Sequence, residues 1–460
     1  MTTLWSGRFE QAPDAHAFAW GSSFSFDRRL FEDDVTGSRA WARTLARAGV
    51  LREADARQID EALGDILQRG LADPAFVNGP DEDVHSFVER LLVEKLGDAG
   101  RRLHTGRSRN EQVSVDLRLY LRRRIPGLQR GLHGVIAAFA RQASAAGDAL
   151  MPAFTHFRPA QPVLVAHYFL AHVAALRRDH ARLDAARAEA DALPLGSGAI
   201  AGTSYAIDVD ALARDLGFGR VVTNSIDAAS DRDFAASFLY ACALTMVHLS
   251  RLAEDLVILC GDEYCFFELS DALSTGSSMM PQKKNPDPLE LVRGKTGRAI
   301  GHLMALLTTL KGLPSGYNKD LQEDKQAVFD AEDTLTGCLA VVRSVADGLT
   351  PNHERMNAAS SGFLLATDAA DYLVGRGVPF RRAHEIVGAL VRRLVAEGRA
   401  LTSLEPGEWR AASELFDADI VDRVTASASV AAKRTPQSTA PWAVRAALAD
   451  VEEWLAGAGR

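Results

Sequence analysis

The sequence predicts an all-α protein, a central bundle of long helices flanked by two smaller helical domains. Three observations carry that expectation. Ala, Leu, Arg and Glu dominate the chain, and alternating runs of Val, Ile, Thr and aromatics are nearly absent. Two long stretches repeat apolar or small residues at steps of three and four. The chain has 460 residues, more than one compact core organises.

The first stretch runs from Phe234 to Cys260, with its seam at Phe238, Cys242, Thr245, Leu249, Leu252, Leu256 and Leu259. Ser230 or Asp231 can cap its start, and Gly261 follows its end. Such a helix is roughly 40 Å long. The second runs from Asp287 to Lys311, with a seam at Leu289, Val292, Thr296, Ala299, Leu303, Leu306 and Leu310. Gly294, Gly297 and Gly301 lie inside it. Each costs up to about 1 kcal/mol of helix propensity against alanine, so a tightly packed neighbour is expected there. Gly312 and Pro314 end this helix. A third stretch, Val113 to Ala146, contains Pro126 and is expected to bend or break at it. The polar run from His104 to Glu111 and the break of the helical pattern near Pro351 place domain boundaries near residues 103 and 350, giving segments 1–103, 104–350 and 351–460. The middle segment holds the long helices.

Several function classes are excluded. Fifty-two Lys and Arg against 60 Asp and Glu leave a net charge of −8, with no global attraction to nucleic acid or an anionic membrane. The most apolar run, Pro162 to Leu176, is too short to span a bilayer and carries His167 and His172. No secretory signal is visible. The four cysteines, Cys242, Cys260, Cys265 and Cys338, are too sparse for a disulfide scaffold. Cys260 and Cys265 have no second pair at zinc-site spacing. A cytoplasmic protein without a metal is expected. Dinucleotide, phosphate-loop, His-Glu-x-x-His and nucleophile-elbow patterns are absent.

Polar side chains concentrate in four runs. Ser274 to Asp287 carries Gly276, Pro281 and Pro286, which rule out a continuous helix. It holds hydroxyls at Ser277 and Ser278, cations at Lys283 and Lys284, and the Asn285 amide. Lysine is scarce in this chain, and Lys283, Lys284, Lys295, Lys311, Lys319 and Lys325 are six of its eight. This run reads either as a solvated linker or as a carboxylate-binding loop that closes over a ligand. His104 to Glu111 packs hydroxyl, guanidinium and amide groups before a helix, whose first amides favour anions. Thr155-His156, followed by Arg158, Pro159 and Gln161, sets a histidine on a proline-bounded turn. Pro314 to Lys325 is dense in hydrogen-bonding groups. Singly, each run reads equally well as structure.

Together and in order, these runs resemble the fumarase/aspartase superfamily and, within it, the argininosuccinate lyase family. The loop ending Gln282-Lys-Lys-Asn-Pro-Asp287 is similar to that family's version of the superfamily signature. Leu103 to Asn110, Thr155-His156, Leu195 to Gly202, Leu313 to Lys325 and the opening Leu4 to Phe9 match the same family, and Leu365 to Asp368 looks familial. The resemblance implies a homotetramer around a central helix bundle, with active sites shared between subunits. It also implies cofactor-free cleavage of argininosuccinate to arginine and fumarate.

By the same resemblance Ser277 is the general base, while Lys283 and Asn285 stabilise the carbanion. His156 assists protonation of the departing guanidinium group, and Glu290 orients His156 from another subunit. Ser23, Asn110, Thr155, Tyr317, Gln322 and Lys325 match positions that hold substrate, with Asp83, Arg232 and Asp287 as further candidates. Three places depart from the family pattern. Glu111 stands where aspartate is usual, residues 201–206 are unusual, and Gln437-Ser438 stand where glycines are common. Those departures leave open an alternative, a lyase releasing fumarate from another N-substituted succinate. A non-catalytic protein on the same scaffold is the third reading.

Overall fold

The computed structural model describes residues 14–457, and the Leu4 to Phe9 match lies outside them. Ten helices of thirteen residues or more are present among the described residues. They are α1 (Phe31–Arg47), α2 (Glu53–Ala72), α3 (Val84–Leu96), α4 (Arg109–Ala146), α5 (Val165–Ala190), α6 (Asp233–Leu259), α7 (Asp287–Leu310), α8 (Asp324–Gly348), α9 (Phe380–Glu397) and α10 (Pro441–Gly457). The expected all-α class holds. Four two-stranded ladders accompany the helices, pairing β1 (Leu150–Thr155) with β2 (Arg158–Leu164), β3 (Ala192–Leu193) with β4 (Arg220–Val221), β5 (Phe267–Leu269) with β8 (Leu349–Pro351), and β6 (Thr275–Gly276) with β7 (Lys284–Asn285).

The chain forms two compact units, each discontinuous in sequence. One comprises the residues up to Gln129, His180–Leu244 and Thr296–Leu335. The other comprises Arg130–Asp179, Thr245–Lys295 and the residues from Thr336 onward.

In the first unit α1 and α2 pack against each other, with Val35, Trp41 and Leu45 of the one and Ile59, Leu63 and Ile66 of the other buried. Glu32, Asp33 and Asp34 in the first turn of α1 complement its dipole. Trp41 is buried, and its indole N–H donates to the Thr105 carbonyl at 3.1 Å. Asp83 caps α3, accepting from the Ser86 amide at 2.7 Å. In the second unit the C-terminal helices surround their own core. Ala383, Val387, Leu390 and Leu394 form the inward stripe of α9, and Trp409 meets Phe416 edge to face with centroids 5.0 Å apart.

The seam of α6 is buried at every position from Phe238 to Leu259, and Asp231 accepts from the Asp233 amide at the helix start. Each buried leucine there contributes about 1.5–3 kcal/mol. In α7 the seam residues Leu289, Val292, Thr296, Ala299 and Leu306 are buried, while Leu303 and Leu310 are half-buried.

Of the bend or break expected at Pro126, the break does not occur: helix α4 runs on to Ala146. Proline in a helix costs about 3 kcal/mol, and the neighbouring Ile125, Leu128 and Leu132 are buried on the same helix. Burial of these three exceeds that cost. Among the described residues no close neighbour lies beside the α7 glycines, since a Cβ at Gly294, Gly297 or Gly301 would meet nothing within 4 Å. Leu291, Ile300, Met304 and Leu307 are exposed on the same helix. The helix therefore shows an apolar, glycine-notched face. No helix of the described residues is long and apolar enough to cross a membrane.

Candidate active site

The first unit gathers four of the residues matched to substrate binding. A cavity of about 670 Å³ is lined by Ser23, Tyr317, Gln322 and Lys325, together with Asp27, Asp83 and Arg109. Its size suits a small-molecule ligand. Ser23 is fixed by its backbone, its amide donating to the Glu82 carbonyl at 2.8 Å. The Gln322 amide donates to the Gly21 carbonyl at 3.2 Å. Burial pushes the Tyr317 hydroxyl upward in pKa. Asp83, besides capping α3, lies 3.8 Å from the Arg109 guanidinium.

Lys325 is buried and donates to Asp324 at 2.8 Å. Asp324 also accepts from Arg232, and all three side chains are buried. The two cations beside it hold the Asp324 carboxyl below the usual range against the opposing pull of burial.

Asp27 is a cavity residue the sequence reading missed. It accepts from the Ser23 hydroxyl and from the Val84 amide, the latter at 3.0 Å. Its only local signal is a serine four residues earlier on a short helical turn. Burial, reinforced by Asp83, pushes its carboxyl up to about 7. A raised carboxyl means that the folded protein binds the proton more tightly than the unfolded chain, so stability falls as pH rises from 4 to 7. Asp27→Asn is expected to flatten that fall, read as the melting temperature of both proteins across this pH range.

Asn110 does not line this cavity, and its side chain donates to the Ala199 carbonyl at 3.3 Å. It sits where the turn around Leu195–Gly202 meets the start of α4. A second, shallower cavity of about 350 Å³ lies beside it, lined by Ser108, Gly198, Ala199, Thr203 and Tyr205.

The second unit holds the remaining candidates. The run from Ser274 to Asp287 is a loop with a small hairpin at its base, not a helix. The antiparallel register pairs Thr275 with Asn285 and Gly276 with Lys284. The ladder ends there, with Ser277 directly after one strand and Lys283 directly before the other. Beyond them Met280 accepts from the Lys283 amide at 3.1 Å, with Pro281 at the turn position whose fixed φ suits it. Ser277 Oγ accepts from the amides of Met279 and Met280 at 3.3 and 3.1 Å.

The adjacent lysines have different surroundings. Lys284 is tied down, donating to the Leu269 carbonyl at 2.5 Å and pairing with Asp271 at 3.0 Å. Asp271, with Glu268 at 3.3 Å, raises its pKa. Lys283 is exposed at the hairpin tip. Thr275 donates to Asp287 at 2.5 Å and the Asn285 amide to Thr275 at 3.4 Å, closing the base of the loop.

Thr155 and His156 lie on the β1–β2 hairpin, where Thr155 pairs with Arg158 across a two-residue turn. His156 and Phe157 occupy that turn with φ of 54° and 57°. Two consecutive left-handed residues define the type I′ turn that matches strand twist, normally built from asparagine and glycine. A left-handed non-glycine residue costs about 1–2 kcal/mol, and Phe157 is 75% exposed, so it gains no packing. The turn holds the imidazole out from the hairpin. Glu290 is exposed in the first turn of α7, 3.7 Å from Arg293. No hydrogen bond or ion pair joins it to His156 among the described residues.

One group of acidic and histidine side chains is close enough to share a cation among the described residues: the buried Asp34, His85 and Asp116. They already engage one another, with His85 Nδ1 at 2.8 Å from Asp34 and 3.2 Å from Asp116. Burial raises both carboxyls, and the neighbouring Asp34 and Asp33 raise that of Asp116 further.

Comparison with known proteins narrows the chemistry. Residues 7–301 match the family model described as lyase, and residues 363–431 match the one described as argininosuccinate lyase C-terminal. An argininosuccinate lyase of Moorella thermoacetica is 48% identical over 455 residues, covering 99% of this chain and 98% of its own. One of Heliobacterium mobile is 47% identical over 453 residues, covering 98% of this chain and 99% of its own. Among solved structures, EDDS lyase in complex with formate superposes with a TM-score of 0.84 at 27% identity, covering 98% of this chain and 93% of that one. A 3-carboxy-cis,cis-muconate lactonizing enzyme from Pseudomonas putida shares the fold, with a TM-score of 0.74 at 20% identity over 95% of this chain and 97% of its own.

Proposed function

The chain belongs to the argininosuccinate lyase family, and from that membership we infer that it cleaves argininosuccinate to L-arginine and fumarate, the closing reaction type of arginine biosynthesis. The observation that carries this reading is identity near one half along almost the entire chain. The alternative, fumarate release from a different N-substituted succinate, is not favoured, because the EDDS lyase likeness is much weaker in sequence.

Elimination begins with loss of a proton from the carbon beside a carboxylate. Ser277 Oγ takes that proton. A hydroxyl is a weak base in water, and the Met279 and Met280 amides, which donate to Oγ, favour its ionised form. The electron pair spreads into the neighbouring carboxylate, where Lys283 and the Asn285 amide face the growing charge. The pair then forms the fumarate double bond as the carbon–nitrogen bond breaks. The departing guanidino nitrogen gains a proton with the help of His156 through a water, and Glu290 orients the imidazole. Thr155 and the first-unit residues Ser23, Asn110, Tyr317, Gln322 and Lys325 hold the substrate. No cofactor or metal is required by this chemistry.

Self-association as a homotetramer with shared sites completes the proposal. The exposed apolar residues and open glycines of α7 support it, because they offer a close-approach surface that the described residues leave uncovered. A cytoplasmic setting fits four free cysteines. Neither nucleic acid nor a membrane is a partner in this reading.

The direct test adds purified protein to argininosuccinate and follows the ultraviolet absorbance of fumarate, with arginine confirmed by mass. Release of both products supports the reading, and no release from folded protein overturns it. Sharing of sites has its own test. Ser277→Ala and His156→Asn proteins, each inactive alone, are expected to regain up to about a quarter of wild-type turnover after mixing under dissociating conditions and reassembly. Turnover that stays at the level of the separate mutants counts against shared sites.

A further inference from the structure

Glu111 lies on the third residue of α4, fully buried, and its carboxylate spans two segments 85 or more positions apart. Oε2 accepts from the Gly196 amide at 2.7 Å and from the Gly198 amide at 3.0 Å. Oε1 accepts from the Ser108 amide at 3.0 Å, one arm of a capping box. The turn it grips is closed on itself, with the Gly202 amide donating to the Ser197 carbonyl at 2.7 Å. Gly198 has no alternative, since its φ is +59° and a Cβ would lie 2.4 Å from the Gly202 carbonyl oxygen. The far side of the same turn presents the Ala199 carbonyl, which accepts from Asn110 at 3.3 Å. Glu111 and Asn110 are neighbours on α4, so the turn is held twice, once by each.

We propose that Glu111 is a positioning residue for substrate binding: its carboxylate clamps the 195–203 turn to the start of α4 and thereby fixes Asn110, which donates to the carbonyl of Ala199 in the lining of the shallow cavity. The inference rests on the reading that Asn110 holds argininosuccinate, and it gives this chain's longer acid a task that reaches past helix capping. An aspartate at 111 is one methylene shorter and, with the backbone unmoved, cannot meet Ser108 on one side and both glycine amides on the other. A glutamine keeps the length but turns its amide N–H₂ toward an N–H donor, opening one side of the clamp.

The test measures steady-state fumarate release by wild type, Glu111→Gln and Glu111→Asp, with the melting temperature of each. Displacing a substrate-holding group by about 1 Å is enough for a large loss. The expected result is a KM for argininosuccinate raised about tenfold in Glu111→Gln, with a smaller rise in Glu111→Asp and kcat within about threefold of wild type. A purely structural role instead lowers the melting temperature and the active fraction at unchanged KM. Unchanged KM in the folded variants overturns the proposal, and if Glu111→Gln fails to fold, Glu111→Asp alone decides it by the same criterion. Wild type without turnover overturns the functional reading itself, and this proposal with it.

Discussion

Replacing Ser277 with alanine is expected to lower fumarate release by at least about 10³-fold while the protein stays folded. The structural cost is small. The Ser277 side chain is half-buried in an exposed loop, and its hydroxyl accepts from two loop amides instead of bridging helices. Those amides meet water when the hydroxyl is removed. Circular dichroism and size-exclusion chromatography should therefore match wild type while the fumarate assay collapses. Near-normal turnover in Ser277→Ala would sink the assignment of the base.

The second large effect is structural and catalytic together. Asp324→Asn is expected to cost about 3–5 kcal/mol, because it leaves the Arg232 and Lys325 cations buried without their shared carboxylate. An asparagine can accept from one of them but turns donor hydrogens toward the other. Lys325 then loses its fixed position in the cavity, so KM rises in whatever protein folds. Denaturant midpoints measure the first loss and the fumarate assay the second. The pH dependence has a definite sign. Its neighbours hold the Asp324 carboxyl below 3.8, so its contribution is complete above the unfolded value and fades as pH falls through the folded one. The gap in stability between wild type and Asp324→Asn should be constant from pH 8 to 5 and narrow below about pH 4. A gap unchanged in acid, or absent at neutral pH, contradicts the network.

What the sequence made legible divides along physical lines. The seams of α6 and α7 could be read because helical burial repeats every three or four residues, and that period is visible locally. The 274–287 loop was legible as a helix interruption because Gly276, Pro281 and Pro286 act through their own backbone. Its register was not, since the pairing of Thr275 with Asn285 and of Gly276 with Lys284 joins residues eight to ten positions apart. The turn at His156 was legible from its flanking prolines, but its two-residue hairpin form was not, because His156-Phe157 lacks the asparagine and glycine that normally announce it. Continuity through Pro126 depends on packing from distant segments, which no local propensity reports. The meeting of Ser23 and Asp27 with Tyr317, Gln322 and Lys325 in one cavity joins residues about three hundred positions apart. Only the resemblance to a family grouped most of them in advance, and it did not include Asp27.

The two left-handed residues of the β1–β2 turn also bear on how this sequence can drift. A glycine in place of Phe157 removes a conformational penalty and deletes an exposed ring, so selection for heat resistance alone has every reason to take it. Selection for turnover meets the opposite gradient if the imidazole needs a stiff mount, because glycine lets the adjoining histidine wander through more of its conformational space. One dipeptide is thus pulled two ways, and a population evolved for robustness should lose it sooner than one evolved for rate.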